Sequence, residues 1–96
     1  MQADRRETPS AAEQRLIEVG VGYWRRMVAA DAPLGVQLLP EDDAVVVSHA
    51  VRGGGRIYVA PDETVLFAAS SAPPHEALEV FRSGRRTPPE QFRPRA

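Results

Sequence analysis

Cysteine is missing from the 96-residue sequence, which excludes disulfides and thiolate metal sites and is compatible with a reducing compartment. Lysine is missing as well, so all twelve basic residues are arginine. There are only two histidines, His49 and His75, and with no cysteine beside them neither a metal nor a cofactor is expected. No apolar run approaches the ~20 residues that a bilayer span needs, and no signal-peptide core follows Met1. A cytoplasmic location without membrane contact is therefore expected. The net charge of −1 lacks the basic footprint of nucleic-acid binders. What is abundant is alanine, with fourteen residues, and proline, with nine, a composition typical of a GC-rich bacterial genome.

Charge is unevenly placed. Residues 1–40 balance five arginines against five acids, residues 41–81 carry two against seven, and residues 82–96 carry five against one. Such asymmetry can guide association with a charged partner, or the two regions can attract each other within the chain.

Residues 1–9 read as a disordered leader. Ser10 and Glu13 form the pattern of a capping box, in which each side chain satisfies the other's backbone N–H, and Thr8 followed by Pro9 offers an alternative start with proline at the first helical position. Two adjoining apolar rows follow, Leu16, Val19, Tyr23, Met27 and Ile17, Val21, Trp24, Val28, predicting one amphipathic helix over residues 10–30. Gly20 and Gly22 each cost such a helix about 1 kcal/mol, tolerable where a sheet packs closely. The period then changes to two. Leu34, Val36 and Leu38 predict a strand stopped by Pro40, and Ala44 to Val51 a central strand with both faces largely covered. Arg56 to Ala60 and Thr64 to Ala69 predict two more strands, across a glycine hairpin and a Pro-Asp-Glu turn. Short connections favour an antiparallel meander. Pro73-Pro74 opens a second helix ended by Gly84, and residues 85–96 read as a Pro/Arg-rich tail with a short helical turn carrying Phe92. The expected fold is thus α+β: a helix, a four-stranded antiparallel meander and a C-terminal helix, with both helices shielding the sheet's apolar face. Residues 10–84 form the single domain, with Trp24 and Phe81 as its large helix–sheet core residues.

No catalytic constellation stands out. Ser48 and His49 are strand neighbours and point to opposite faces, so they form no nucleophile–base pair. Gly53-Gly54-Gly55 leads into a strand and no lysine follows, unlike a phosphate loop. Arginine forks suit carboxylates and phosphates, which singles out Arg82, Arg85, Arg86, Arg93 and Arg95.

From Gly55 to Phe92, the stretch GRIYVAPDETVLFAASSAPPHEALEVFRSGRRTPPEQF resembles the C-terminal half of small bacterial immunity-type domains, including the YrhB-like group, in its order of strand, acidic turn, strand and proline-introduced helix. That resemblance implies a cytoplasmic protein that neutralises a partner toxin without a reaction of its own, and it assigns no site residue.

The expected function is a non-enzymatic protein-binding module of immunity or antitoxin type whose partner is another protein. The candidate contacts are Glu41, Asp42 and Asp43 on one turn, Arg52 and Arg56 around the glycine hairpin, and Arg82, Arg85 and Arg86. One alternative is a small-ligand or enzymatic domain with a pocket between the first helix and the sheet, near Tyr23, Trp24, His49 and Tyr58. Another is a nucleic-acid-associated regulator acting through the arginine tail. A meander also leaves edge strands that a second copy could cover, giving a homodimer.

Overall fold

The computed structural model of the chain describes residues 9–92. The leader expected over residues 1–9 lies almost wholly outside them, as do Arg93 and Arg95. Helix α1 (Ala11–Arg25) begins where the capping box places it: Ser10 Oγ accepts from the Glu13 N–H, and Glu13 Oε1 accepts from the Ser10 N–H. The helix stops at Arg25 rather than Ala30. Met27 and Val28 both donate their N–H to the Trp24 carbonyl, which tightens the last turn and breaks the helical ladder, and the Arg25 guanidinium then holds the Ala30 carbonyl. Met27 and Val28 still reach the core from this turn.

Four strands follow, β1 (Leu34–Leu39), β2 (Ala44–His49), β3 (Arg56–Val59) and β4 (Val65–Ala68). They pair antiparallel in the order β1-β2-β3-β4, the predicted meander. A 3-10 turn (Pro40–Asp42) joins β1 to β2 and closes on Asp43, whose φ of 51° is left-handed. Helix α2 (Pro74–Arg82) and a second 3-10 turn (Pro89–Gln91) complete the described chain. Among the described residues, no helix is long and apolar enough to cross a membrane.

The register sorts the side chains. Pairing of Val45 with Val59 and of Val47 with Ile57 puts these four on one face, while Val46 with Tyr58 and Tyr58 with Leu66 define the other. Both faces are apolar, and each has its own core. Leu16 and Trp24 of α1 pack with Val45, Val47, Ile57, Val59 and Val65. Ala77 and Phe81 of α2 pack with Ala44, Val46, Tyr58, Ala60, Leu66 and Ala68. The two helices therefore lie on opposite faces, and the expectation that both shield one face is corrected. Trp24 and Phe81 are both buried, but on opposite sides of the sheet. The reason is in β2 and β3: the runs Ala44–Val47 and Ile57–Ala60 have no polar row to give to water.

Gly20 explains how closely α1 approaches. A Cβ there would lie 2.6 Å from Val47 Cγ2. At Gly22 a Cβ would meet nothing within 4 Å, so close packing accounts for only one of the two helical glycines. The Trp24 indole N–H donates to the Val47 carbonyl at 2.8 Å, satisfying the ring's polar atom inside the core.

The packed body does not end at Gly84. Thr87 lies along the free edge of β4, donating its N–H to the Val65 carbonyl at 2.7 Å and accepting from the Phe67 N–H through Oγ1 at 2.9 Å. The chain then reaches the α1 side, where Phe92, 2% exposed, packs 4.6 Å from the Tyr23 ring. Residues 85–92 are thus a strap around the sheet edge rather than part of a tail.

Candidate functional site

The eight arginines and acids singled out by charge fall into three places. At the first, Arg82 at the end of α2 grips Asp42 through two hydrogen bonds, Nε to Oδ1 and Nη2 to Oδ2, each 2.9 Å, with Glu41 at 3.8 Å. The hydrogen bond from Arg82 holds the Asp42 carboxyl below its ordinary value of 3.8. The acidic turn and the basic helix end thus neutralise each other within the chain. Asp43 is exposed and closes that turn.

Arg86 occupies the second place, as part of the strap. Its Nε donates to Thr64 Oγ1 at 2.8 Å, its Nη1 to the Phe81 carbonyl at 2.9 Å, and its guanidinium stacks 4.4 Å from the Phe81 ring centroid. The Thr64 hydroxyl in turn donates to Asp62 Oδ1, and this bond is the main cause of a lowered Asp62 pKa. Arg85 next to it is exposed, and its carbonyl accepts from Arg86 Nη1 at 2.7 Å.

The third place is the β2–β3 hairpin, where Arg52 and Arg56 differ sharply. Arg52 is exposed on the turn. Arg56 opens β3, between Ser48 on β2 and Ala68 on β4, on the α2 face. The approach to it is tight: a Cβ on the preceding Gly55 would sit 2.7 Å from the Ala68 carbonyl oxygen. Its small neighbours let the guanidinium fold over the sheet toward the start of α2, where Nη2 donates to the Ala72 carbonyl at 2.7 Å. Its Nε is buried and has no acceptor. No carboxylate among the described residues pairs with it. A part-buried cation without a counter-ion and with a donor left unfilled is costly to keep, and among the described residues Arg56 is the one such group.

Arg56 stands in a groove of about 280 Å³ between α2 and the uncovered half of the sheet, lined by Gln37 and Leu39 of β1, Val46, Tyr58, and Pro74, His75 and Leu78 of α2. The groove exists because α2 packs through Ala77 and Phe81 onto one side of this face and leaves the β1 side open. Its floor is apolar, its ends carry the Gln37 amide and the exposed His75, and its only fixed charge is positive. A guanidinium fork is the donor set that matches a carboxylate, and here its buried Nε–H is left unfilled.

A larger cavity, about 560 Å³, lies between the start of α1 and the Pro40–Asp43 and Pro61 turns. Most of its polar side chains are already engaged, Ser10 and Glu13 in the capping box and Arg15 with Glu63, which leaves the exposed Asp43 at its rim. The residues expected to line a pocket between α1 and the sheet do not converge. Trp24 is 4% exposed, its ring lies 5.4 Å from His49, and Tyr58 belongs to the other face. Ser48 and His49 likewise lie on opposite faces, since Ser48 pairs with Arg56 and His49 packs beside Trp24.

Charge patterning named Arg56 but placed it with the hairpin surface, and it overlooked Gln37, His75 and Leu78. The missed signal is an arginine opening an otherwise apolar strand, opposite a serine. No protein-family model, curated protein or solved structure matches the chain.

Proposed function

We propose that the chain is a non-enzymatic protein-binding module that takes an acidic side chain of its partner in the groove beside α2, with Arg56 as the receiving group. The observation that supports this reading is the buried, unfilled Nε of Arg56 in a groove that holds no acid of its own. A groove of about 280 Å³ lies just below the range of about 300–1,000 Å³ usual for small-ligand pockets, and it opens along β1, which favours a protein segment over a small molecule. Neutralising a toxin by occupying an acidic part of its surface, as in immunity-type domains, is one form that such binding takes.

The test is Arg56→Met, which keeps the aliphatic stem and removes the charge. Affinity capture from the native host with the wild-type chain should recover a discrete partner, and the variant should bind it at least about tenfold more weakly, as expected when a charged hydrogen-bonding group is lost from an interface. Because the cation is under-satisfied in the free protein, the same substitution should leave the melting temperature unchanged or raise it. Equal capture by both proteins, or no recurrent partner, sinks the reading.

A further inference from the structure

The two edges of the sheet are treated differently. The β4 edge is occupied by the chain's own Thr87, as described above. Among the described residues, the β1 edge has no such cover. Its backbone phase follows from two bonds: the Ala50 N–H reaches the Pro33 carbonyl, whereas the His49 N–H turns to Gly55 on the β3 side. Alternation then directs the N–H and C=O of Gly35, Gln37 and Leu39 toward β2, and those of Leu34, Val36 and Leu38 outward. Among the described residues nothing bonds to these outward groups.

Natural edge strands are commonly protected by charge, proline or a bulge. Within Leu34–Leu39 none of these occurs: the strand reads LGVQLL and pairs with β2 in unbroken register. Val36 at its centre is 48% exposed, because α1 sits over β2 and β3.

We infer that β1 is a self-association edge, and that its occupant is β1 of a second copy of this chain, running antiparallel about a two-fold axis at Val36. In that register Leu34 lies opposite Leu38 of the second copy, Val36 opposite Val36, and Gly35 opposite Gln37. The strand is its own complement: apolar meets apolar on the α1 side, the smallest residue meets the amide on the other, and no charge is set against itself. Each hydrogen-bonded pair exchanges two bonds, so the register closes about six. Because the opposite edge is already filled by Thr87, this association ends at a dimer with one eight-stranded sheet and does not propagate. A foreign strand would satisfy the same backbone groups, but nothing would require it to match this side-chain order. The inference rests on the β1 backbone and is independent of Arg56.

Five paired residues on each copy bury less than a standard interface, so a weak dimer forming between about 10 μM and 1 mM is expected. Sedimentation of the full chain across that range should show monomer giving way to dimer. Val36→Lys sets two ammonium groups face to face and should weaken the dimer at least about fivefold. Val36→Thr, still β-branched and uncharged, should keep it, and circular dichroism of both variants should match the wild type because Val36 is half exposed. Amide exchange gives a second reading. The N–H groups of Leu34, Val36 and Leu38 should gain protection as concentration rises, while those of Gly35, Gln37 and Leu39 are protected throughout. Monomer alone at about 1 mM, a dimer indifferent to Val36→Lys, or protection without this alternation overturns the proposal.

Discussion

Gly20 and Gly22 are two residues apart on one helix, and the structure gives their substitution opposite signs. At Gly22 an added methyl meets open space. Gly22→Ala should therefore stabilise the protein by up to about 1 kcal/mol, the ordinary helical gain over glycine. At Gly20 the same methyl collides with Val47 Cγ2 at 2.6 Å and comes within 3.2 Å of Val59 Cγ2. Both valines are fully buried and stiff at χ1, so overpacking of about 1–3 kcal/mol outweighs the helical gain, and Gly20→Ala should destabilise by about 1 kcal/mol. Urea titrations of the two variants, followed by far-ultraviolet dichroism, check both signs. The sequence showed that a helical glycine needs a close neighbour, but not which of the two has one, because that depends on where α1 crosses β2. Arg56 was legible to the same degree: its type was visible, whereas its burial required the register that sets Ser48 and Ala68 beside it.

Among the elements, the start of α1 was readable to within a few residues, and the structure takes the Ser10 capping box, a local code, over the start at Thr8 and Pro9. Its end was not, because residues 26–30 contain no glycine or proline and the helix stops through a tightened turn at Trp24. The strands and their order followed from alternation and short turns. The side taken by α2 did not, since it depends on how the chain leaves β4. Once there, α2 is tied to the β1–β2 turn by Arg82 and Asp42. The Asp42 pKa is lowered in the folded protein, so the contribution of this contact is present above the unfolded carboxylate value and is lost as pH falls through the folded one. Asp42→Asn should lower the melting temperature at neutral pH by no more than a few degrees, in keeping with an exposed ion pair. The gap to wild type should narrow as pH falls below the ordinary carboxylate value and close once Asp42 itself is protonated in the folded protein.

For the molecule as a whole, the segment after Gly84 decides how much chain is needed to fold. Phe92 was visible as a lone apolar residue in a Pro/Arg stretch, and only the strap's path around β4 turns it into a core residue. Phe92→Ala should cost about 3–5 kcal/mol, a large share of the 5–15 kcal/mol typical of such domains. A chain cut after Gly84 should lose both Phe92 and the Thr87 edge bonds and fail to show a cooperative urea transition. A cut chain as stable as the full one would show the strap to be ornamental. The two-sided sheet also has a spectroscopic consequence. The single indole, Trp24, is walled into the α1 side with Phe67 and His49 as its ring neighbours, while Tyr58 and Phe81 face each other across the sheet from it. Its emission is a one-eyed witness. Fraying of α2 could expose half of the protein's interior while fluorescence still recorded the native state, so a melt followed at that wavelength measures one layer and should be paired with a tyrosine or methyl signal from the other.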